Sequence, residues 1–143
     1  MDKSAVISAA QELAQAGRSF VLATVDQEGA PQVRWMGALF TEEPFTIYLA
    51  AGAESRKMAQ IRGNPKSQLM FQAEDFSKVA TLSGTSTVVS DAAVKEKVFA
   101  GIPAAGQYFS GPDDPNFGVI KFQARKIEML GLSEGMSTDS VEL

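Results

Sequence analysis

Three apolar runs separated by two compact turns dominate the first third of the chain, and they narrow its fold more than any other feature. Phe20-Val21-Leu22-Ala23-Thr24-Val25 is a run of strand formers ended by Asp26-Gln27-Glu28-Gly29. A turn that closes on glycine between two such runs is a hairpin signal. Pro31 opens the second run, Gln32 to Phe40, and is tolerated at the first position of a strand. Thr41-Glu42-Glu43-Pro44 makes the next turn, and Phe45 to Ala50 is the third run. Successive hairpins pair their strands antiparallel, which predicts an antiparallel sheet without crossover helices in this region.

Upstream, Ser4 to Ala16 has helical period, with Val6, Ile7, Ala10, Leu13 and Ala14 on one face and Gly17 at the stop position. Downstream, Ser55 to Arg62 reads as a short helix with Ser55 at its N-cap, Gly63 past its end and Pro65 beyond. Ser67 to Gln72 and Lys78 to Ser90 are two further strands, the second with Gly84 at an expected bulge or close approach. Asp91 caps a helix over Ala92 to Ala100, and Val119 to Leu130 is the last long strand. Four of the twelve glycines and three of the six prolines fall between Gly101 and Gly118, so that stretch is expected to be loop. The tail from Gly131, which carries Glu134, Asp139 and Glu142, is expected to be loose. The sum is about six strands and three short helices: a mainly β protein, its antiparallel sheet closed into a small barrel with helices at the ends.

A chain of 143 residues is expected to be one domain spanning 1–143, and one of that length buries enough surface to fold without staples. Cysteine and histidine are both absent. Their absence excludes disulfides, a cysteine nucleophile, a Ser-His-Asp triad, a Cys/His zinc site and the usual histidine or cysteine ligands of haem iron. The formal charge of −4 argues against nucleic acid or an anionic membrane as partner. No apolar run approaches the roughly eighteen residues of a membrane span, and the N-terminus, interrupted by Gln11, Glu12 and Gln15, does not read as a signal peptide. A cytoplasmic protein is expected.

Against that acidic background stands an island of positive charge. Ser55 to Ala73 contains no acid, yet Arg56, Lys57, Arg62 and Lys66 fall within it. Ser55, Arg56 and Lys57 occupy the first turn of the expected helix. Free backbone N–H groups and the positive end of the helix dipole already favour an anion there. Arginine adds a planar fork of donors, lysine a mobile charge and serine a hydroxyl, which together suit a terminal phosphate. The plainer alternative is a solvated basic surface.

The second run carries another feature. Alternation puts Arg34, Met36 and Ala38 on one face and Val33, Trp35, Gly37 and Leu39 on the other. An arginine in so apolar a strand needs a partner, and Gly37 leaves room for another backbone or a flat ligand. Alternatively, Arg34 reaches water from an edge strand and Trp35 is a core or dimer contact.

The order of these pieces is the hairpin strand, a Pro-x-x-Arg strand, a strand with Ile47-Tyr48-Leu49, then Ser55-Arg56-Lys57 and Asn64-Pro65. It resembles the pyridoxamine 5′-phosphate oxidase-like superfamily, over roughly Phe20 to Ser90, and within it the small bacterial general-stress proteins. The resemblance implies an FMN-binding split β-barrel that is a homodimer with flavin at the subunit interface. It implies that Arg34, Ser55, Arg56 and Lys57 contact the FMN phosphate. The backbone of Trp35, Met36, Gly37 and Ala38, with Leu49 and Ala50, would face the isoalloxazine and ribityl chain. The family's lysine shortly after the strand arginine is replaced here by Leu39 or Phe40, and Lys78 falls near a family glutamine. The parent oxidases hold their phosphorylated substrate with late Tyr, Arg and Ser residues and a C-terminal Arg and His. Here no arginine lies between Arg62 and Arg125, and Tyr108 with Ser110 reads as a tyrosine packed under the loop.

Three functional readings follow. One is an FMN-dependent oxidoreductase acting on a small molecule or NAD(P)H, with the flavin carrying the chemistry and no catalytic side chain identified. Another is a non-catalytic module that stores or senses flavin. The last is the same barrel holding a deazaflavin or no cofactor.

Overall fold

The computed structural model describes every residue except Met1, Gly17, Arg18, Ala38, Pro44, Glu134 and Met136. The expected helix stop at Gly17, the Pro44 end of the second turn, the placement of Ala38 and part of the acidic tail therefore lie outside the described residues.

The chain opens with α1 (Lys3–Ala16), one residue earlier than its period predicts. Asp2 starts it: its carboxylate accepts from the Ala5 amide at 2.9 Å, and its carbonyl accepts from Val6. Val6, Ala10 and Ala14 are buried, and the helix lies chiefly against β7. The hairpins follow as β1 (Phe20–Val25) and β2 (Pro31–Met36), then β3 (Leu39–Glu43) and β4 (Thr46–Gly52). Next come α2 (Arg56–Gly63), β5 (Lys66–Gln72), β6 (Val79–Val89) and α3 (Ala92–Gly101). A short α4 (Ala105–Tyr108), β7 (Phe117–Leu130) and β8 (Thr138–Glu142) complete the described elements.

All strand pairs are antiparallel, and the hydrogen-bonded path runs β2-β1-β5-β6-β7-β4-β3. Its two ends, β2 and β3, are neighbours in the chain. The single strand expected from Gln32 to Phe40 is thus two strands, because β2 pairs with β1 while β3 pairs with β4 at the far end of the sheet. One straight segment cannot serve both partners. The two ends of the sheet are therefore only a few residues apart in the chain, which holds them near each other as a barrel requires.

The long strand β7 does the splitting. It pairs with β6 along its length, with β4 over Phe117–Gln123 and with β8 over Lys126–Leu130. At the change of partner the register slips: Gly84 faces Ala124 and Ser83 faces Lys126, leaving Arg125 extra. Gly84 sits at this bulge, as its sequence position predicts. A Cβ there would run into the Gln123 carbonyl oxygen, so only glycine fits.

The tail departs from expectation. Rather than lying loose, residues 138–142 form β8, with Val141 turned into the core at 8% exposure and the Leu143 amide donating to the Arg125 carbonyl at 2.8 Å. The stretch from 101 to 118 is likewise not all loop, since α4 lies within it. The main core fills the barrel around Phe20, Leu22, Leu69, Phe71, Phe122 and Ile127, with the Phe20 and Phe71 rings stacked at 5.1 Å. A smaller cluster of Tyr48, Val98, Ile102, Ala105, Phe117 and Val119 seats α3 and α4 on β4 and β7. Among the described residues no helix is long and apolar enough to cross a membrane.

Candidate functional site

The start of α2 has Ser55 at the N-cap with extended backbone angles, as the sequence predicts, but the serine side chain makes no capping bond. Its Oγ is buried and without a hydrogen-bond partner. A buried hydroxyl left unpaired costs about 1–3 kcal/mol, so its persistence calls for a ligand or some other explanation. Beside it, Arg56 is exposed and Lys57 half-buried, while Met58, Gln60 and Ile61 turn inward.

Arg34 joins this corner from β2. Alternation places it with buried Met36 on the inner face, while Val33 and Trp35 point outward at 70% and 65% exposure. Its guanidinium Nη1 donates to Thr24 Oγ1 at 2.8 Å and to the carbonyls of Leu22 and Gln32, and Nη2 donates to Gln60 Oε1 at 3.0 Å. No carboxylate among the described residues pairs with Arg34, Arg56 or Lys57. Asp26 feels the field of Arg56, but its carboxylate is engaged by the Ala30 and Glu28 amides and the Gln32 side chain. Burial, and then the Arg56 charge, lowers the pKa of Arg34. Burial, and then the Arg34 charge, lowers that of Lys57. Arg34 thus sits against the charges of both Arg56 and Lys57, in the turn that carries the unpartnered Ser55 hydroxyl, and an anion entering the corner relieves that repulsion.

Lys57 connects this corner to a cleft of about 340 Å³. One wall is Trp35, Met36 and Gly37 from the end of β2, with Ala50 and Ala51 from β4. The other is Ile102, Ala104, Ala105, Tyr108 and Phe109 from the segment after α3. Small and apolar residues on both sides leave a slot suited to a flat ring system.

The structure thus brings Arg34, Ser55, Arg56 and Lys57 into one corner and places Trp35, Met36, Gly37 and Ala50 along the adjoining cleft. Leu49, expected beside Ala50, lies apart from them. Its side chain is fully buried between β3 and β7, paired with Leu39 and Ile120, and lines no part of the cleft. Ala51 takes the place expected of it at the end of β4. Tyr108 is a correction: it is 77% exposed at the cleft rim rather than packed under the loop.

The stretch from Gly101 to Gly118 is where the sequence places the pocket's other lining, but a Gly- and Pro-rich stretch gives no period from which to read which of its residues face inward. Sequence reasoning missed Thr24 and Gln60. Their signals were present but slight: one hydroxyl in an apolar strand, and one amide on the inward side of a short basic helix.

Comparison with known proteins agrees with this architecture. The sequence profile of the pyridoxamine 5′-phosphate oxidase family matches residues 7–131. General stress protein 26 of Bacillus subtilis (strain 168) is 28% identical over 116 residues, 79% of either chain. A crystal structure from Clostridium acetobutylicum, of a protein related to general stress protein 26, superposes with a TM-score of 0.83 at 20% identity, covering 100% of this chain and 97% of that one. A heme binding protein from Mycobacterium smegmatis superposes with a TM-score of 0.78 at 18% identity, covering 99% of this chain and 60% of the other. At such identities the two structures speak for the fold alone. The fold is the split barrel, and the profile match over most of the length settles the family: this chain belongs to the pyridoxamine 5′-phosphate oxidase family, and within it resembles the general stress proteins.

Proposed function

We propose that this protein binds FMN, with the flavin phosphate in the corner made by Arg34, Ser55, Arg56 and Lys57 and the ring system in the adjoining cleft, and that it is a cytoplasmic flavin-dependent oxidoreductase. The observation that carries the reading is the buried, unpartnered Ser55 Oγ in the corner of three cations that have no carboxylate partner among the described residues. A phosphate offers both the charge and the acceptor oxygens that this corner lacks. Bound flavin supplies hydride and electron transfer, chemistry that no side chain here provides. The chain's own part is to grip the phosphate, to wall the ring with Trp35, Met36, Gly37, Ala50 and Ala51, and to keep water from it.

Haem is disfavoured as the occupant, because the chain has neither histidine nor cysteine for an axial bond. A vitamin B6 phosphate is disfavoured as substrate, because a second phosphate needs a second cluster of donors. In the late segment Lys126 is paired with Glu128 at 3.1 Å, and Arg125 stands exposed at the bulge. A small-molecule acceptor, with NAD(P)H as donor, is the reading adopted.

Val33 and Trp35 are exposed on the outer face of β2, with Val21 and Met70 half-buried across the pleat. A second copy covering that face would bury Trp35 and close the cleft it lines, so we take the functional unit to be a homodimer.

A non-catalytic flavin carrier is the second reading, favoured by one feature: among the described residues Lys57 and Tyr108 are the only titratable groups lining the cleft. Turnover with NAD(P)H separates the two. The phosphate assignment itself is tested by titrating FMN and riboflavin against the protein. FMN should bind more tightly, and Arg56→Ala should weaken FMN by roughly tenfold to a hundredfold with riboflavin unaffected. Equal affinity for the two flavins would refute it. Pyridoxal phosphate formation near one turnover per second, at the low end of ordinary enzymes, would refute the substrate reading.

A further inference from the structure

Arg34 is held in a closed ring of hydrogen bonds that contains no acid. Nη1 donates to Thr24 Oγ1 at 2.8 Å, the Thr24 hydroxyl donates onward to Gln60 Oε1 at 2.6 Å, and Nη2 returns to that same oxygen at 3.0 Å. The carbonyls of Leu22 and Gln32 take further bonds from Nη1 at 3.2 and 3.3 Å. Thr24 and Gln60 are both buried, at 1% and 9% exposure, so the ring is well shielded from water.

A half-buried guanidinium ordinarily sits against a carboxylate, which satisfies its donors and cancels its charge together. Here the two jobs are separated. Neutral oxygens satisfy one edge of the fork and leave the charge intact. Nε and one hydrogen of Nη2 remain without a partner among the described residues. Gln60 is the informative choice, because glutamate has the same shape and would have closed an ion pair at this spot.

We infer that Thr24 and Gln60 are positioning residues that set the preference for phosphorylated over unphosphorylated flavin, by fixing the Arg34 guanidinium through neutral acceptors so that its charge stays available to the phosphate. The inference rests on the reading of this corner as the flavin phosphate site. It goes beyond that reading in assigning two residues that touch neither phosphate nor ring.

The test is a fluorescence titration of FMN and of riboflavin against the full chain freed of flavin, beside its melting temperature. Gln60→Glu should lower FMN affinity roughly tenfold to a hundredfold, leave riboflavin affinity unchanged and leave the melting temperature level or higher, since a new Arg34 ion pair forms. Thr24→Val, which opens the ring, should lower FMN affinity about tenfold, and Thr24→Ser should restore it. An unchanged FMN-to-riboflavin ratio in Gln60→Glu, with discrimination intact in the unsubstituted protein, would overturn this inference and leave the phosphate site standing. Equal losses for both flavins with a lower melting temperature would overturn it too, by showing a purely structural role. Equal binding of the two flavins by the unsubstituted protein would overturn the site and this inference together.

Discussion

Gly118 of β7 lies directly against Met58 of α2. A Cβ built on the glycine would stand 2.5 Å from Met58 Cε, 3.0 Å from the Ala51 carbonyl oxygen and 3.1 Å from Ala53 Cα. The strand therefore passes beneath the link from β4 to α2 at a distance that only a bare backbone permits, and the Ala53 amide fastens that link by donating to the Asn116 carbonyl at 2.9 Å. Ser55 ends this link and Arg56 and Lys57 open α2 directly after it, so the corner is positioned by β7. Gly118→Ala should destabilise the protein by about 1–3 kcal/mol, because Met58 can swing aside but the two backbone contacts cannot. It should also weaken FMN more than riboflavin. Urea unfolding and the two flavin titrations measure the two effects.

Ser55→Ala should act in opposite directions on stability and on binding. Alanine at an N-cap normally costs about 0.5–2 kcal/mol, but that figure reflects a capping bond which Ser55 does not make. Removing its unpaired hydroxyl should leave the flavin-free protein as stable or up to about 1 kcal/mol more stable. FMN should bind about tenfold more weakly, for want of one charge-assisted hydrogen bond. A clear loss of flavin-free stability on thermal unfolding would mean that the hydroxyl is satisfied in solution.

The last strand should contribute measurably to stability. Val141 is buried at 8% exposure opposite Ile127, within the main core. Val141→Ala should destabilise by about 1–3 kcal/mol in urea unfolding. A frayed tail would show no change. Amide exchange offers a second check, because residues that pair with β7 should be protected while Glu142→Gln, on the exposed side, should leave the pattern as it was.

Acid should weaken the first hairpin through Asp26. The Ala30 amide first, with further bonds from the Glu28 amide and the Gln32 side chain, holds its carboxyl below the usual range, while partial desolvation opposes them. A folded-state value below the unfolded one means that stability is present above the unfolded pKa, about 4, and is lost as pH falls through the folded value. The difference in unfolding free energy between the unsubstituted protein and Asp26→Asn should therefore stay constant near neutrality and shrink in acid. Chemical unfolding across that range reads it directly, and a difference that grows in acid would contradict the assigned shift.

Much of this protein is legible in its sequence because much of it depends on local period. Alternation alone puts Arg34 and Met36 on one face and Trp35 on the other, and the side chains lie there. The turn residues bound the hairpins, and Gly84 stands at the bulge. At the end of β4, Ala51 lines the cleft and Leu49 does not; the two share a face, so alternation cannot tell them apart, and only the packing shows how far along the strand the cleft begins. The tail was misjudged because Val141 alone carries its inward face, and one apolar residue among polar neighbours gives no period to read.

What the sequence by itself determined is the kind of object: antiparallel hairpins, a basic first turn on a short helix, and an arginine on the inner side of its strand. These follow from spacing within a few residues, where the backbone's own geometry dictates which side chains share a face. Only the tertiary structure decided what those faces meet. The run from Gln32 to Phe40 divides because its halves pair at opposite ends of the sheet, and the second wall of the cleft comes from a segment with no period of its own. Thr24 and Gln60, 36 residues apart, find each other because α2 packs on β1, and the ring they close with Arg34 depends on that packing. Periodicity encodes a direction, but a partner is chosen only when the core excludes water and fixes which two surfaces touch.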